Sequence, residues 1–167
     1  KPIAIPSQDM ILGCYYLTRE REGELGEGKI ISSFSEAKLA YSNKEVSMHA
    51  AVEFRMGDLK EKTTLGRVIF NDILPKGMPF INKQLGKKDL IKLVYDCYTK
   101  VGNYETVLFL DRLKDLGFGY AFQSGLSISI DDIMIPDNKN EIISKAALKV
   151  DEVQDKFNKK ILTEGER

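Results

Sequence analysis

Tryptophan is absent, histidine occurs once, at His49, and cysteine twice, at Cys14 and Cys97. With no second histidine and no CxxC pair, the usual Cys/His zinc site cannot be assembled. Two thiols 83 positions apart read as small buried hydrophobes of a reducing compartment, not as a disulfide framework. Neither sign of charge is in excess: 25 Lys+Arg face 25 Asp+Glu. That balance removes the basic surplus expected of a free-standing nucleic-acid binder. Long apolar runs are missing as well, since Val107–Leu110 and Ile133–Ile135 stop far short of the ~18 residues a membrane span needs. The sequence opens at Lys1 without an initiator Met or a charged-then-apolar leader, so we expect an excised piece without a targeting signal.

What is present is ordinary globular material. The 167 residues are 43% hydrophobic and 30% charged, which argues against wholesale disorder. This length suits one domain or two small lobes and allows about two-thirds of the unfolded surface to be buried.

Along the chain the pattern is mixed. Ser7 is placed to cap a short helix over Gln8–Leu17. Arg19–Gly28 is charged and Gly-rich, a solvated loop; Ile30–Ser32 reads as a short strand and Ser35–Tyr41 as a short helix. Val46–Arg55 reads as a strand and Gly57–Lys62 as a polar connection, while periodicity leaves Thr63–Leu74 undecided. Pro75, Gly77 and Pro79 break the chain. A helix follows over Lys87–Val101, apolar at Leu90, Val94, Cys97 and Val101, and another over Tyr104–Leu116, ended by Gly117. Leu126–Ile130 alternates with Ser127 and Ser129 as a strand would, running on into Ile133–Ile135.

From Pro136 the pattern turns helical, with Asp137 or Asn138 as the cap. Apolar residues fall at Ile143, Ala146, Val150, Val153 and Phe157, spacings of 3, 4, 3 and 4 that form one a/d stripe. Glu141–Lys145, Glu152–Lys156 and Asp155–Lys159 are acid-before-base pairs four apart around it. Such a helix needs one partner along one side. Ile161–Leu162 supplies a bend, and Thr163-Glu164-Gly165-Glu166 has the spacing of a capping box. We therefore expect half of an antiparallel helical hairpin cut at its tip. The expected fold class is α+β: mixed short strands and helices, with this truncated hairpin projecting as an arm. The expected division is residues 1–135 and 136–167.

Chemical constellations dissolve when tested. Gly86-Lys87 lacks the earlier glycine of a phosphate loop, where Ile81 stands, and Lys88 replaces the required Ser/Thr. Asp131 and Asp132, read as strand neighbours, point to opposite faces and cannot easily chelate one ion. His49 has no nucleophile nearby in sequence and reads as a packed histidine. Cys14 reads as core, and Arg19-Glu20-Arg21-Glu22 as a solvated charge run. We therefore expect no catalytic or metal-ligating residue here; a small hydrolase or transferase built on Asp131, Asp132 and His49 is the enzymatic alternative.

Several strings carry a resemblance that composition does not. Pro6-Ser7-Gln8-Asp9-Met10-Ile11-Leu12-Gly13-Cys14-Tyr15-Tyr16-Leu17-Thr18 resembles the segment after the catalytic aspartate loop in the β′ (largest) subunits of bacterial DNA-directed RNA polymerases. Thr63-Thr64-Leu65-Gly66-Arg67-Val68-Ile69-Phe70-Asn71, Leu74-Pro75 and Leu85-Gly86-Lys87-Lys88 resemble later blocks of the same family, in the same order. So do Gly117-Phe118, Ser124-Gly125, Ile130-Asp131-Asp132 and Leu162-Thr163-Glu164-Gly165-Glu166-Arg167. Together they span essentially the whole chain.

The resemblance implies a non-catalytic segment of a nucleotidyltransferase of DNA-templated RNA synthesis. It would be the pore and funnel region that walls the secondary channel, through which nucleoside triphosphates (NTPs) pass in and backtracked RNA 3′ ends are received. Its rim helices would receive channel-binding factors of the transcript-cleavage and stringent-response kinds. Carried onto this sequence, the channel-lining candidates are Gln8, Asp9, Arg67 and Gln123, and the factor-docking candidates are Lys159, Lys160, Glu164, Glu166 and Arg167. Gln123 stands where the family usually has Arg, and Ser129 where it has Gly.

The implied cofactor is Mg²⁺, held by the family's aspartate loop, which is absent from this sequence and expected before Lys1; the bridge helix and trigger loop are expected after Arg167. Implied partners are the rest of β′, the β, α and ω subunits, the channel factors, NTP and RNA, with DNA bound only through the whole enzyme. The implied location is the bacterial cytoplasm, away from membranes. The alternative is an autonomous helical-hairpin interaction module unrelated to polymerase.

Overall fold

A computed structural model describes residues 4–167. The chain divides into two compact units, Lys1–Leu126 and Ser127–Arg167. The described residues form a mixed α+β structure. Its elements are α1 (Asp9–Thr18), β1 (Ile30–Ile31), α2 (Phe34–Ser42), β2 (Ala51–Met56), β3 (Leu59–Thr64), α3 (Leu65–Asn71), α4 (Lys87–Val101), α5 (Asn103–Ser124) and α6 (Lys139–Asn158).

In the first unit, β2 and β3 pair antiparallel from Ala51↔Thr64 to Met56↔Leu59, closed by a two-residue Gly57-Asp58 turn. Gly57 sits at φ 61, a conformation glycine adopts without a Cβ penalty. Val52 and Phe54 point inward while Arg55 faces out, the period-2 burial of a half-covered sheet. β1 joins β2 in parallel, completing a three-stranded sheet of order β1-β2-β3. Phe54 stacks against both Phe34 (ring centroids 5.3 Å) and Phe80 (5.6 Å). These rings tie the sheet to α2 and to the connection before α4.

Several sequence expectations change. Gly57–Lys62 is not a connection: Leu59–Lys62 belongs to edge strand β3, with Lys60 and Lys62 exposed and one side of its backbone paired with β2. The preceding strand starts only at Ala51. Val46–Ala50 is buried turn, with Ala50 N–H donating to Ser47 O at 3.1 Å and Ser47 N–H to Leu25 O at 2.8 Å. The undecided stretch splits at Thr64, whose side chain accepts from Arg67 N–H and starts α3.

Gln8, and not Ser7, is the N-cap of α1, at φ 46 and without a side-chain cap bond. Asn138 stands before α6, likewise without such a bond. α5 does not stop at Gly117 but runs to Ser124, because Gly117 is where α1 packs on it. A Cβ on Gly117 would sit 2.8 Å from Met10 Cα, and one on Gly13 would sit 2.8 Å from Ala121 N and overlap the Gly117 carbonyl oxygen.

In the second unit, Leu126–Ile130 forms no strand. Residues Ile130–Asp132 make one 3₁₀ turn, capped by Ser129, whose hydroxyl accepts from Asp131 N–H at 3.0 Å. Asp132 in return accepts from Ser129 N–H at 2.8 Å. α6 follows as expected, and none of its residues is buried. Its apolar stripe stands open, with Ile143 53% and Val150 66% exposed.

Candidate functional site

A network of polar contacts gathers at the C-terminal end of α1. Thr18 is buried and donates its hydroxyl to Cys14 O at 2.7 Å, while accepting from Leu85 N–H at 2.9 Å. Arg67 reaches over from α3: Nε donates to Thr18 O at 3.1 Å, and Nη1 donates to Glu20 Oε2 at 3.1 Å and Asn82 Oδ1 at 3.3 Å. Asn82 carries the network on to β3 by donating to Lys62 O at 2.8 Å. Beside it, buried Asn71 donates to Arg67 O (2.7 Å) and Ile81 O (2.9 Å) and accepts from Ile81 N–H (2.7 Å). Gly66 lets α3 close on this end, since a Cβ there would overlap Leu17 O.

The sequence candidates do not converge on one point. Gln8 and Asp9 are exposed at the N-terminal end of α1, and Arg67 is bound at its other end. Gln123, near the end of α5, is exposed and accepts from Tyr41 O–H at 3.2 Å. Burial, and secondarily Tyr16, pushes the Tyr41 phenol up, so the donor stays protonated at neutral pH. In the second unit Lys159, Lys160, Glu164, Glu166 and Arg167 are all exposed around the bend that follows α6. Glu166 accepts from both the Thr163 N–H (3.0 Å) and its hydroxyl (2.7 Å), which hold its carboxyl below the usual range. The Arg167 guanidinium lies 4.9 Å from the Phe157 ring centroid.

Sequence reasoning gave no contact role to Thr18, Asn71, Gly13 or Gly66, and it read Gly117 as a helix end. Glycine inside otherwise helical patterns was the available signal for the last three.

Cys14 and Cys97 are both buried and free. Burial pushes the Cys14 thiol up to about 12, so it carries almost no thiolate at pH 8. We expect neither thiol to react with iodoacetamide at pH 8 until denaturant is added, as read by mass spectrometry.

His49 is 5% exposed, packs edge-on against Tyr16 (centroids 4.7 Å) and places Nδ1 3.2 Å from Arg19 O. A carbonyl can only accept, so Nδ1 carries the proton of the neutral ring. Burial lowers the pKa of His49, partly offset by the Arg19 carbonyl; Arg21 and Arg19 lower it too, and Glu24 raises it. The unfolded chain thus binds the proton more readily than the folded one. This contribution to stability is complete above about pH 6.5 and is lost as pH falls from there toward the folded-state value. The urea midpoint should drop between pH 7.5 and 5.5, and His49→Phe should flatten that drop; equal slopes would refute the assignment.

Among the described residues no three His, Cys, Asp or Glu side chains gather in a way that could hold a metal ion. None of the described helices is long and apolar enough to cross a membrane.

Comparison with known proteins decides the family. The family model for RNA polymerase Rpb1, domain 3, matches residues 1–133. The chain belongs to that family. The Rpb1 domain 3 match takes in the whole α1–α3–α5 arrangement, and with it Gln8, Asp9, Arg67 and Gln123. Similarity continues beyond it. The chain is 45% identical over 168 aligned positions to the DNA-directed RNA polymerase subunit beta′ of Desulforamulus reducens, covering 100% of this chain and 14% of the relative. It is 48% identical to that of Syntrophobacter fumaroxidans (99% of this chain, 12% of the relative) and 44% to that of Aquifex aeolicus (100% and 11%). The resemblance read from the sequence motifs is thereby borne out. The chain spans only 11–14% of the length of these β′ relatives.

Proposed function

We propose that this chain serves as a non-catalytic wall segment of a bacterial RNA polymerase β′ subunit. It lines the secondary channel for NTP and backtracked RNA and presents, after α6, part of the docking site for channel-binding transcription factors. The observation that supports this reading is the likeness to β′ subunits across the whole chain, at 44–48% identity. The open stripe of α6 agrees with it, because a helix apolar along one side needs a partner helix. We read residues 1–135 as the pore portion and 136–167 as the first rim helix and its tip.

In this reading the chain acts with the rest of β′ and the β, α and ω subunits in the cytoplasm, and meets DNA only through the whole enzyme. On the same reading the Mg²⁺ of the whole enzyme is held by other parts of the subunit. Gln8, Asp9 and Gln123 face the channel, with Arg67 in its wall. Lys159, Lys160, Glu164, Glu166 and Arg167 steer incoming factors, where exposed charges chiefly set encounter and specificity.

The test uses polymerase carrying this segment with Lys160→Glu and Arg167→Glu together. The concentration of cleavage factor needed for half-maximal cleavage of backtracked RNA should rise about ten-fold, and excess factor should restore full cleavage. An unchanged dependence on factor concentration would sink the docking role.

A further inference from the structure

The last turn of α1 contains no basic residue, so the negative end of its dipole has no cation within the helix itself. Arg67 supplies one from α3, bonding Thr18 O, Glu20 and Asn82 with a side chain only 12% exposed. Midway along the same helix Gly13 lies directly on the backbone of Gly117 in α5. At this crossing the two backbones touch without intervening side chains, so the tilt of α1 depends on the contacts that flank it, the buried Cys14 and Leu17 and the Arg67 bond to Thr18 O among them. One end of α1 is therefore held by the Arg67 fork, and the opposite end carries Gln8 and Asp9. For a helix ~15 Å long, a tilt of ~10° about its middle moves that far end by about 1 Å.

We infer that Arg67 is a positioning residue, which acts through α1: it sets the helix's tilt at the Gly13–Gly117 crossing and so the placement of Gln8 and Asp9 along the channel. This rests on the channel reading given above. Its planar fork serves three acceptors at once, which a lysine ammonium on a flexible stem cannot do in the same geometry.

The test uses whole polymerase carrying this segment, with Arg67→Lys, Arg67→Met and, separately, Gln123→Glu. Single-nucleotide addition is measured per titrated active centre. Arg67→Met should raise the NTP KM about five-fold and Arg67→Lys about two- to three-fold, with kcat changed less than KM. A purely architectural role would lower the yield of assembled enzyme and leave KM per active centre unchanged, which overturns the inference. If Arg67→Met does not assemble, Arg67→Lys decides by the same criterion. A KM shift in Gln123→Glu beside normal Arg67 variants overturns the positioning role alone; unchanged KM in all three overturns it together with the channel reading.

Discussion

Gly13→Ala should unfold or severely destabilise the chain, while Gly119→Ala, two residues past the crossing glycine of α5, should not. Both glycines are helical, so both gain helix propensity from alanine, worth roughly 0.5–1 kcal/mol. They differ in what the new methyl meets. At position 119 nothing lies within 4 Å. At position 13 the methyl would overlap the Gly117 carbonyl oxygen and lie 2.8 Å from Ala121 N, and these are backbone atoms of α5 that cannot swing aside.

Relief requires α1 and α5 to separate, which would also pull Cys14 and Leu17 away from the core they fill. We expect a loss of about 3 kcal/mol or more, at the upper end of what overpacking costs and a large part of the 5–15 kcal/mol typical of a folded domain. Urea unfolding of the two variants checks this. A Gly13→Ala midpoint equal to that of the parent would mean that the helices are not this close. Gly117→Ala should behave like Gly13→Ala, because its methyl would meet Met10 Cα and O, each at 2.8 Å.

These glycines also show where the sequence was legible and where it was not. The long amphipathic helices could be read directly: Leu90, Val94 and Cys97 fall on one face of α4, and all three are buried. Gly102, at φ 86, separates α4 from α5. Gly117 misled because a glycine late in a helical pattern more often ends a helix than lies at a crossing, and only the distant Gly13 tells the two apart. Strand β3 was hidden for a similar reason. Leu59-Lys60-Glu61-Lys62 is polar on balance and becomes a strand only by pairing with β2, a tertiary effect that local propensity does not contain.

Conversely, Leu126–Ile135 alternates like a strand yet has no neighbour in the sheet, and Ser129 and Asp132 bond each other locally instead. The candidate site was legible only through family motifs. Nothing in the spacing of Gln8, Asp9, Arg67 and Gln123 announces that three of them are exposed and that Arg67 is enclosed by Thr18, Glu20 and Asn82.

Asn71→Ala should cost about 3 kcal/mol, and Asn71→Asp at least as much. Asn71 is the one side chain that satisfies both backbone groups of Ile81, accepting from its N–H and donating to its carbonyl, while its second N–H bonds Arg67 O. The residue is buried, so truncation leaves the Ile81 N–H and C=O without these partners, at about 1–3 kcal/mol for each unsatisfied group. Aspartate keeps the acceptor for Ile81 N–H but aims a carboxylate oxygen at two carbonyl oxygens, which cannot donate to it.

The damage should spread along the chain in both directions. On one side Phe80 loses its fixed stack on Phe54; on the other Asn82 no longer meets Arg67 and Lys62 squarely. Hydrogen exchange gives the discriminating readout. In Asn71→Ala the Ile81 amide should lose protection by a larger factor than amides in α4, whose own ladder is intact. Uniform loss across both would indicate global destabilisation alone, and unchanged protection at Ile81 would show that the Asn71 bridge does not hold this connection in place.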